Sequence, residues 1–469
     1  MALPEHTNTV IQPTVLRRLA RVPAWLKFLL SLAMATLVWF ASDGLGASIQ
    51  GALSVSTFAA LLWLTETLPL PVTALMVPTA LAAVGVFEQK DAFDAFGNSV
   101  IFLVLGGYGL GVAVQANRID LWLAKRLIRL AGTGHHRLLA ALMGTSAFLS
   151  MVISNTATVA LLLPVATGIL ARYASDQNLA RLLLLGVAYG ASIGGIATLI
   201  GSPPNAIAAG LLGLEFLDWI SYGVPVSAIA LVLAYGILLK TWPPTTEAHA
   251  DATDNTVEAL RPAAWRTLFV VLLTFALWMF GPGIARSLGW PPALFGSASV
   301  AILSLALMVL LDCVTWGKLE RGIQWGVLVL LGGGLTLGRG LTESGAADWL
   351  ASQLVGAVGG FPMLLLLLAL VLIAVFATEL ISNTAVTASL APILMGVALQ
   401  LGLAAESLVL PVTIGTSMAF MLPVATPPNA MVHATERVTQ HDMMRVGLRL
   451  NLVVVSVIVM VFYVRGIGL

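Results

Sequence analysis

The chain has 469 residues, of which 59% are hydrophobic and 10% charged, too apolar for the two or three soluble domains this length would otherwise hold. Its 23 Lys+Arg and 22 Asp+Glu nearly cancel, so no charge excess favours nucleic acid or another polyanion as a partner. A single cysteine, Cys313, excludes a disulfide framework and any multi-cysteine metal site.

Residues 1–23 are polar with a late basic cluster and no small-residue cleavage signature, and read as a cytoplasmic N-terminal segment rather than a removable signal peptide. Beyond it the chain divides into uncharged runs. In the first half, 24–240, these are 28–42, 44–65, 67–87, 95–117, 138–171, 182–214 and 219–239. A polar stretch rich in Thr, Asp and Pro, 241–266, reads as a cytoplasmic linker. In the second half, 267–469, the runs are 267–285, 287–311, 322–338, 349–378, 380–405, 407–435 and 450–464. A hydrocarbon core of about 30 Å takes roughly 20 helical residues, so most runs predict one crossing each. The long ones do not. As single helices, 138–171 and 182–214 would each span roughly 50 Å, too long for one crossing and too short for two. We therefore expect a re-entrant hairpin over 138–171 and a broken helix over 182–214, and a second such pair over 349–405 and 407–435.

Charge placement supports the folding back. With both hairpins returning to their own side, 19 of the 23 basic residues collect on one face, leaving Lys90, Arg286, Arg339 and Arg465 elsewhere. The positive-inside rule then predicts a cytoplasmic N-terminus, about eleven spans and an external C-terminus, integral to the plasma membrane. The fold class is all-α and polytopic.

The halves repeat. Leu103-Val104-Leu105-Gly106-Gly107 aligns with Val329-Leu330-Leu331-Gly332-Gly333, Ser154-Asn155-Thr156-Ala157 with Ser382-Asn383-Thr384-Ala385, and Pro203-Pro204-Asn205-Ala206 with Pro427-Pro428-Asn429-Ala430, at offsets of 224 to 228. The predicted topology makes the copies inverted, which points to a secondary transporter with its site at the repeat interface. One Ser-Asn-Thr triplet alone would be an ordinary helix cap. Two in register, each followed by Pro-Pro-Asn, place polar groups and helix N-termini at mid-membrane, where they would be costly unless they line a cavity. Proline at each break frees carbonyls. Hydroxyl, amide and carbonyl oxygens are hard neutral ligands suited to an alkali cation.

These paired triplets with their downstream Ser/Thr-Pro-Pro-Asn resemble the divalent anion:sodium symporter family, from Trp63-Leu64-Thr65-Glu66 to the last span. The resemblance implies a homodimer with scaffold and transport parts, an elevator-like motion, and Na⁺-coupled import of dicarboxylates such as succinate, malate and fumarate. It implies one sodium site at Ser150, Ser154, Asn155 and Gly201, and a mate at Thr378, Ser382, Asn383 and Ala425. Substrate would meet Ser154, Asn155, Thr156, Ser202 and Pro203 from one side and Ser382, Asn383, Thr384, Thr426 and Pro427 from the other. Ser202 departs from the family's usual threonine.

Neither motif contains Lys or Arg, although moving a dianion into a negative-inside cell costs about 2.3 kcal/mol per charge per 100 mV. Two or more co-transported Na⁺ would supply the countercharge. Rival readings are a sodium-independent dicarboxylate exchanger, a proton-coupled carrier, a sodium-coupled sulfate or citrate carrier, a channel, and an intramembrane enzyme; no protease or hydrolase motif appears in any span. Glu379 is expected to hold the second tip, with proton transfer as the alternative, Glu66 to cap a helix end, Arg339 to snorkel, with anion binding as the alternative, and Trp25, Trp63, Trp122, Trp219 and Trp290 to anchor at the membrane interface.

Overall fold

The computed structural model describes residues 22–132, 134–171, 176–244, 259–358 and 362–465. The N-terminal segment up to 21, Arg172, linker residues 245–258 and the last four residues lie outside this range. Every regular element among the described residues is helical.

Four helices open the fold: α1 (Ala24–Ala41), α2 (Ala47–Leu64), α3 (Leu70–Ala83) and α4 (Ser99–Ala116). A short amphipathic helix, α5 (Ile119–Ala131), buries Ile119, Ala124 and Ile128 on one face. Then comes the first hairpin, α6 (His135–Ser150) and α7 (Asn155–Leu170), with its tip at 151–154. The broken crossing follows as α8 (Gln177–Gly195) and α9 (Pro203–Leu212), and α10 (Phe216–Thr241) returns.

The second half repeats the plan with α11 (Pro262–Leu288), α12 (Ser297–Leu310), α13 (Trp316–Gly322), α14 (Trp325–Glu343) and a surface helix α15 (Ala346–Val358). Its hairpin is α16 (Met363–Ala377) and α17 (Asn383–Gln400). The broken crossing is α18 (Glu406–Thr416) and α19 (Pro427–His433), and α20 (Gln440–Val464) closes the described chain. The uncharged run 349–405 thus holds part of α15 as well as the hairpin.

Among the described residues eight helices are long and apolar enough to cross a membrane. One of these, α17, is a hairpin arm. The other seven, the shorter apolar helices α3 and α12 and the two broken pairs make eleven crossings. Polar contacts mark the two ends of the bundle. At one end Arg181 pairs with Asp442 at 3.0 Å, Arg449 donates to Thr241 at 3.2 Å, and Asn178 to the Pro243 carbonyl at 3.0 Å. At the other, the Glu215 carboxylate accepts from Ser297 N at 2.9 Å, and the Arg339 guanidinium lies 5.2 Å from the Phe87 ring. The open end of the first hairpin lies at the first end, where Tyr235 donates to the His136 carbonyl at 3.4 Å, and that of the second at the other, where Gln400 donates to the Asp348 carbonyl just past α14. The repeats are inverted.

The breaks have local causes. Pro203-Pro204 and Pro427-Pro428 occupy the first turns of α9 and α19, where missing N–H groups cost nothing but a preceding helix cannot continue. Across the breaks the repeats interlock: α9 packs on α17 and α18, whereas α19 packs on α7 and α8. Two of the tryptophans expected at the interface are instead fully buried. The Trp63 indole donates to the Leu70 carbonyl at 3.2 Å and Trp219 to the Ile196 carbonyl at 2.9 Å, so each ties a helix end rather than anchoring in headgroups. Trp25 and Trp290 are exposed, as an anchor should be.

Candidate functional site

The first tip gathers its motif residues tightly. Ser154 caps α7, its hydroxyl accepting from Ala157 N at 3.3 Å. The Ser150 hydroxyl, fully buried at the end of α6, donates to the Asn155 amide oxygen. Asn155 in turn lies against Gly195, and Gly201 lies against the carbonyls of Gly195 and Ser150. A Cβ on Gly201 would stand 2.5 Å from the Gly195 carbonyl oxygen and 2.8 Å from that of Ser150. The carbonyl oxygens of Ser150 and Gly195 thus crowd the Gly201 position, and the paired side-chain oxygens of Ser150 and Asn155 lie beside Gly195. The donor set is neutral and all oxygen, which fits an alkali cation.

The second tip is built from the matched residues but is looser. Thr378 is fully buried, yet its hydroxyl donates back to the Val375 carbonyl at 3.0 Å and not to Asn383. The Asn383 amide oxygen is buried without a hydrogen-bond partner. Ala425 carries a Cβ where the first site has Gly201. Ser382 caps α17 by position, with no side-chain hydrogen bond.

Behind each tip the unwound loop is held by the asparagine of the Pro-Pro-Asn motif. Asn205 donates to the carbonyls of Gly195 at 3.0 Å and Thr198 at 2.8 Å; Asn429 donates to those of Ala419 at 3.0 Å and Leu422 at 3.1 Å. Both amide oxygens are buried and unpartnered. The two breaks touch where the Ser202 and Ser417 hydroxyls meet at 3.3 Å. Thr426 caps α19, accepting from Asn429 N at 3.3 Å. Thr156 is exposed and Thr384 buried, and no hydrogen bond among the described residues joins the two Ser-Asn-Thr triplets directly. Pro203 and Pro427 stand at the partly open rims of their breaks.

Sequence reasoning missed how differently the two loops are latched. In the first, Trp219 holds the Ile196 carbonyl and the Thr198 hydroxyl donates to the Met151 carbonyl at 2.6 Å. In the second, the Glu379 carboxylate, 3% exposed, accepts from the backbone N–H groups of Phe420, Met421 and Leu422 at 2.9 Å and from Asn451 at 2.7 Å. Tyr189 adds a bond of 2.8 Å to the Phe420 carbonyl. Glu379 matches Met151 in the repeat, so its charge was visible as an asymmetry, but its partners lie 41 to 72 residues away. Glu66 caps nothing: it is exposed, in the left-handed region at φ 45°.

Inverted hairpins facing crossed broken helices define this as a secondary transporter. The family model described as citrate transporter, CitMHS, matches residues 60–415, and the chain belongs to that family. It is 40% identical to an uncharacterized transporter of Haemophilus influenzae over 88% of this chain and 90% of the relative. It is 30% identical to the sodium-dependent dicarboxylate transporter SdcS of Staphylococcus saprophyticus, over 92% of this chain and 89% of that one. The crystal structure of the Alcanivorax borkumensis YdaH transporter shares the fold, with a TM-score of 0.59 at 16% identity, over 87% of this chain and 97% of that chain. The protein is a polytopic membrane transporter and not an enzyme.

Proposed function

We propose that this protein imports dicarboxylates such as succinate, malate and fumarate by sodium symport, as a plasma-membrane homodimer whose transport part moves elevator-fashion. The observation that carries the reading is the first tip, where carbonyl oxygens of Ser150 and Gly195 crowd Gly201 and the bonded Ser150 and Asn155 side chains lie beside Gly195, with no basic side chain in either motif. A dianion cannot bind there on charge from the protein. The positive N-terminal ends of α7 and α17 help, each worth about half an elementary charge. Two or more Na⁺, at Ser150, Ser154, Asn155 and Gly201 and at Thr378, Ser382, Asn383 and Ala425, supply the rest. Substrate carboxylates then lie between the triplets, beside Ser202, Pro203, Thr426 and Pro427.

The scaffold in this reading is α1 to α4 with α11 to α14. The crossed packing of α9 and α19 makes the hairpins and broken helices one body, and that body carries the site between the two membrane faces. The N-terminus lies inside and the C-terminus outside.

The test is succinate uptake into proteoliposomes. An inward Na⁺ gradient should drive it, and Asn155→Ala or Asn383→Ala should reduce it by tenfold or more. Equal uptake with choline replacing Na⁺ would reject symport, and uptake that requires internal dicarboxylate would make the protein an exchanger. The family description names citrate, which favours one second reading, a sodium-coupled citrate carrier. Competition by citrate and sulfate in the same assay ranks the anions.

A further inference from the structure

Away from the tips, a cleft of about 390 Å³ opens where α4 ends at Ala116 and α11 begins after Arg261. Arg118, Trp122 and Lys125 line one wall, and Leu260 and Arg261 the other. Three cations thus converge in one recess, contributed by both halves of the chain. Among the described residues no carboxylate lines it. The ion pairs among the described residues, Lys90–Glu88, Arg181–Asp442 and Arg339–Glu343, involve none of the three. Asp120, beside Leu121 in this wall, is buried, and its carboxylate accepts from Leu121 N at 2.8 Å; burial raises it above the usual carboxylate value.

The recess is held rigidly. Asn117 at its floor donates to the carbonyls of Ala113 at 2.9 Å and Cys313 at 2.8 Å and to the Thr267 hydroxyl at 3.1 Å, tying α4, α11 and the turn after α12 together. Arg118 sits in the left-handed region at φ 55°, a conformation that glycine adopts more cheaply, yet a cationic side chain stands there. The Trp122 ring holds the Arg126 guanidinium at 5.2 Å on the outer edge.

The position says what kind of anion meets these cations. Two membrane-spanning helices end at the cleft, so it lies at headgroup depth. Helix α5 beside it packs its apolar face on the bundle and turns Lys125, Arg126 and Arg129 to the other side, at the level where the spans end. Basic pockets between spans at that depth suit the phosphate of an anionic lipid.

We propose that this cleft binds the phosphodiester headgroup of an anionic phospholipid, with Arg118, Lys125 and Arg261 on the phosphate and Trp122 at the acyl boundary. The lipid bridges α5 of the first half to α11 of the second.

The experiment measures binding of phosphatidylglycerol to the purified, delipidated full chain, with phosphatidylcholine as the neutral reference, independently of any transport assay. Arg261→Gln should weaken phosphatidylglycerol binding about fivefold, and Arg118→Gln/Lys125→Gln/Arg261→Gln about a hundredfold. Lys318→Gln/Arg321→Gln, which removes basic residues outside the cleft, should leave it within twofold. Thermal unfolding without lipid checks that each variant is folded, and Arg261→Gln, at an exposed helix start, keeps the test alive if the triple variant is not. Unchanged binding in Arg261→Gln, or equal losses from the Lys318 and Arg321 pair, overturns the proposal in favour of diffuse surface charge. If millimolar inorganic phosphate displaces phosphatidylglycerol completely and stabilises the protein as well, the ligand is a free phosphate and the lipid assignment fails.

Discussion

Asn205 and Asn429, 224 positions apart, make the same two hydrogen bonds: each amide N–H group donates to carbonyls ten and seven residues before it, across its own unwound loop. The repeat therefore extends from sequence to bonding. Each asparagine fixes the carbonyls that border a proposed sodium position.

Removing either amide leaves two buried carbonyls unpaired. Leaving one such group unsatisfied costs about 1–3 kcal/mol, so Asn205→Ala and Asn429→Ala should each lower stability by about 2 kcal/mol or more. Thermal unfolding in detergent reads that loss, and Na⁺-driven uptake should fall with it. An alanine variant that unfolds like the native chain would show that the loops are held by other means.

Gly201 offers a sharper contrast. Gly201→Ala would drive a methyl group into the Gly195 and Ser150 carbonyls, at 2.5 and 2.8 Å. We expect sodium activation of uptake to shift to at least tenfold higher Na⁺, whereas Ala425→Gly at the matched position should shift it less than threefold. Equal shifts at the two positions would contradict the structural asymmetry.

Glu379→Gln keeps size but exchanges one acceptor oxygen for an amide group that faces backbone N–H donors. With Phe420, Met421 and Leu422 all donating to the carboxylate, the substitution should destabilise the protein by about 2–4 kcal/mol, and Asn451→Ala by about half as much. Met151→Ala, at the matched position, should cost under about 1.5 kcal/mol. Unfolding midpoints for the three variants rank these effects.

Orientation can be read with single cysteines. Cys313 is buried, so Cys313→Ser gives a background free of reactive thiol. In it, Lys90→Cys should react with an impermeant maleimide added to whole cells, and Arg137→Cys only after permeabilisation. The reverse pattern would invert the proposed topology.

How much of this was legible in the sequence depends on whether a partner lies nearby in the chain or far from it. The hairpins, breaks and paired triplets follow from run length, proline chemistry and the repeat, which are local or periodic signals. Trp63 and Trp219 misled because an indole serves equally at a lipid interface and as a buried donor, and only the tertiary partner decides between them. The latch on the second loop was invisible for a related reason. Glu379 announces a buried charge, but nothing in the chain between 379 and 451 says that Asn451 will meet it. The looseness of Thr378 against Asn383 was hidden by the repeat itself, which suggested equivalence where the bonding differs.

The crossed packing of α9 on the second hairpin and α19 on the first also bears on how the chain is made. As synthesis proceeds from the N-terminus, α7, α8 and α9 enter the bilayer before α17, α18 and α19 exist. Until the second half arrives, α9 lacks the helices it packs on in the finished fold. Completion of the fold is thus a late clasp between two inserted halves, and a chain truncated after α10 would be inserted but open to quality-control proteolysis.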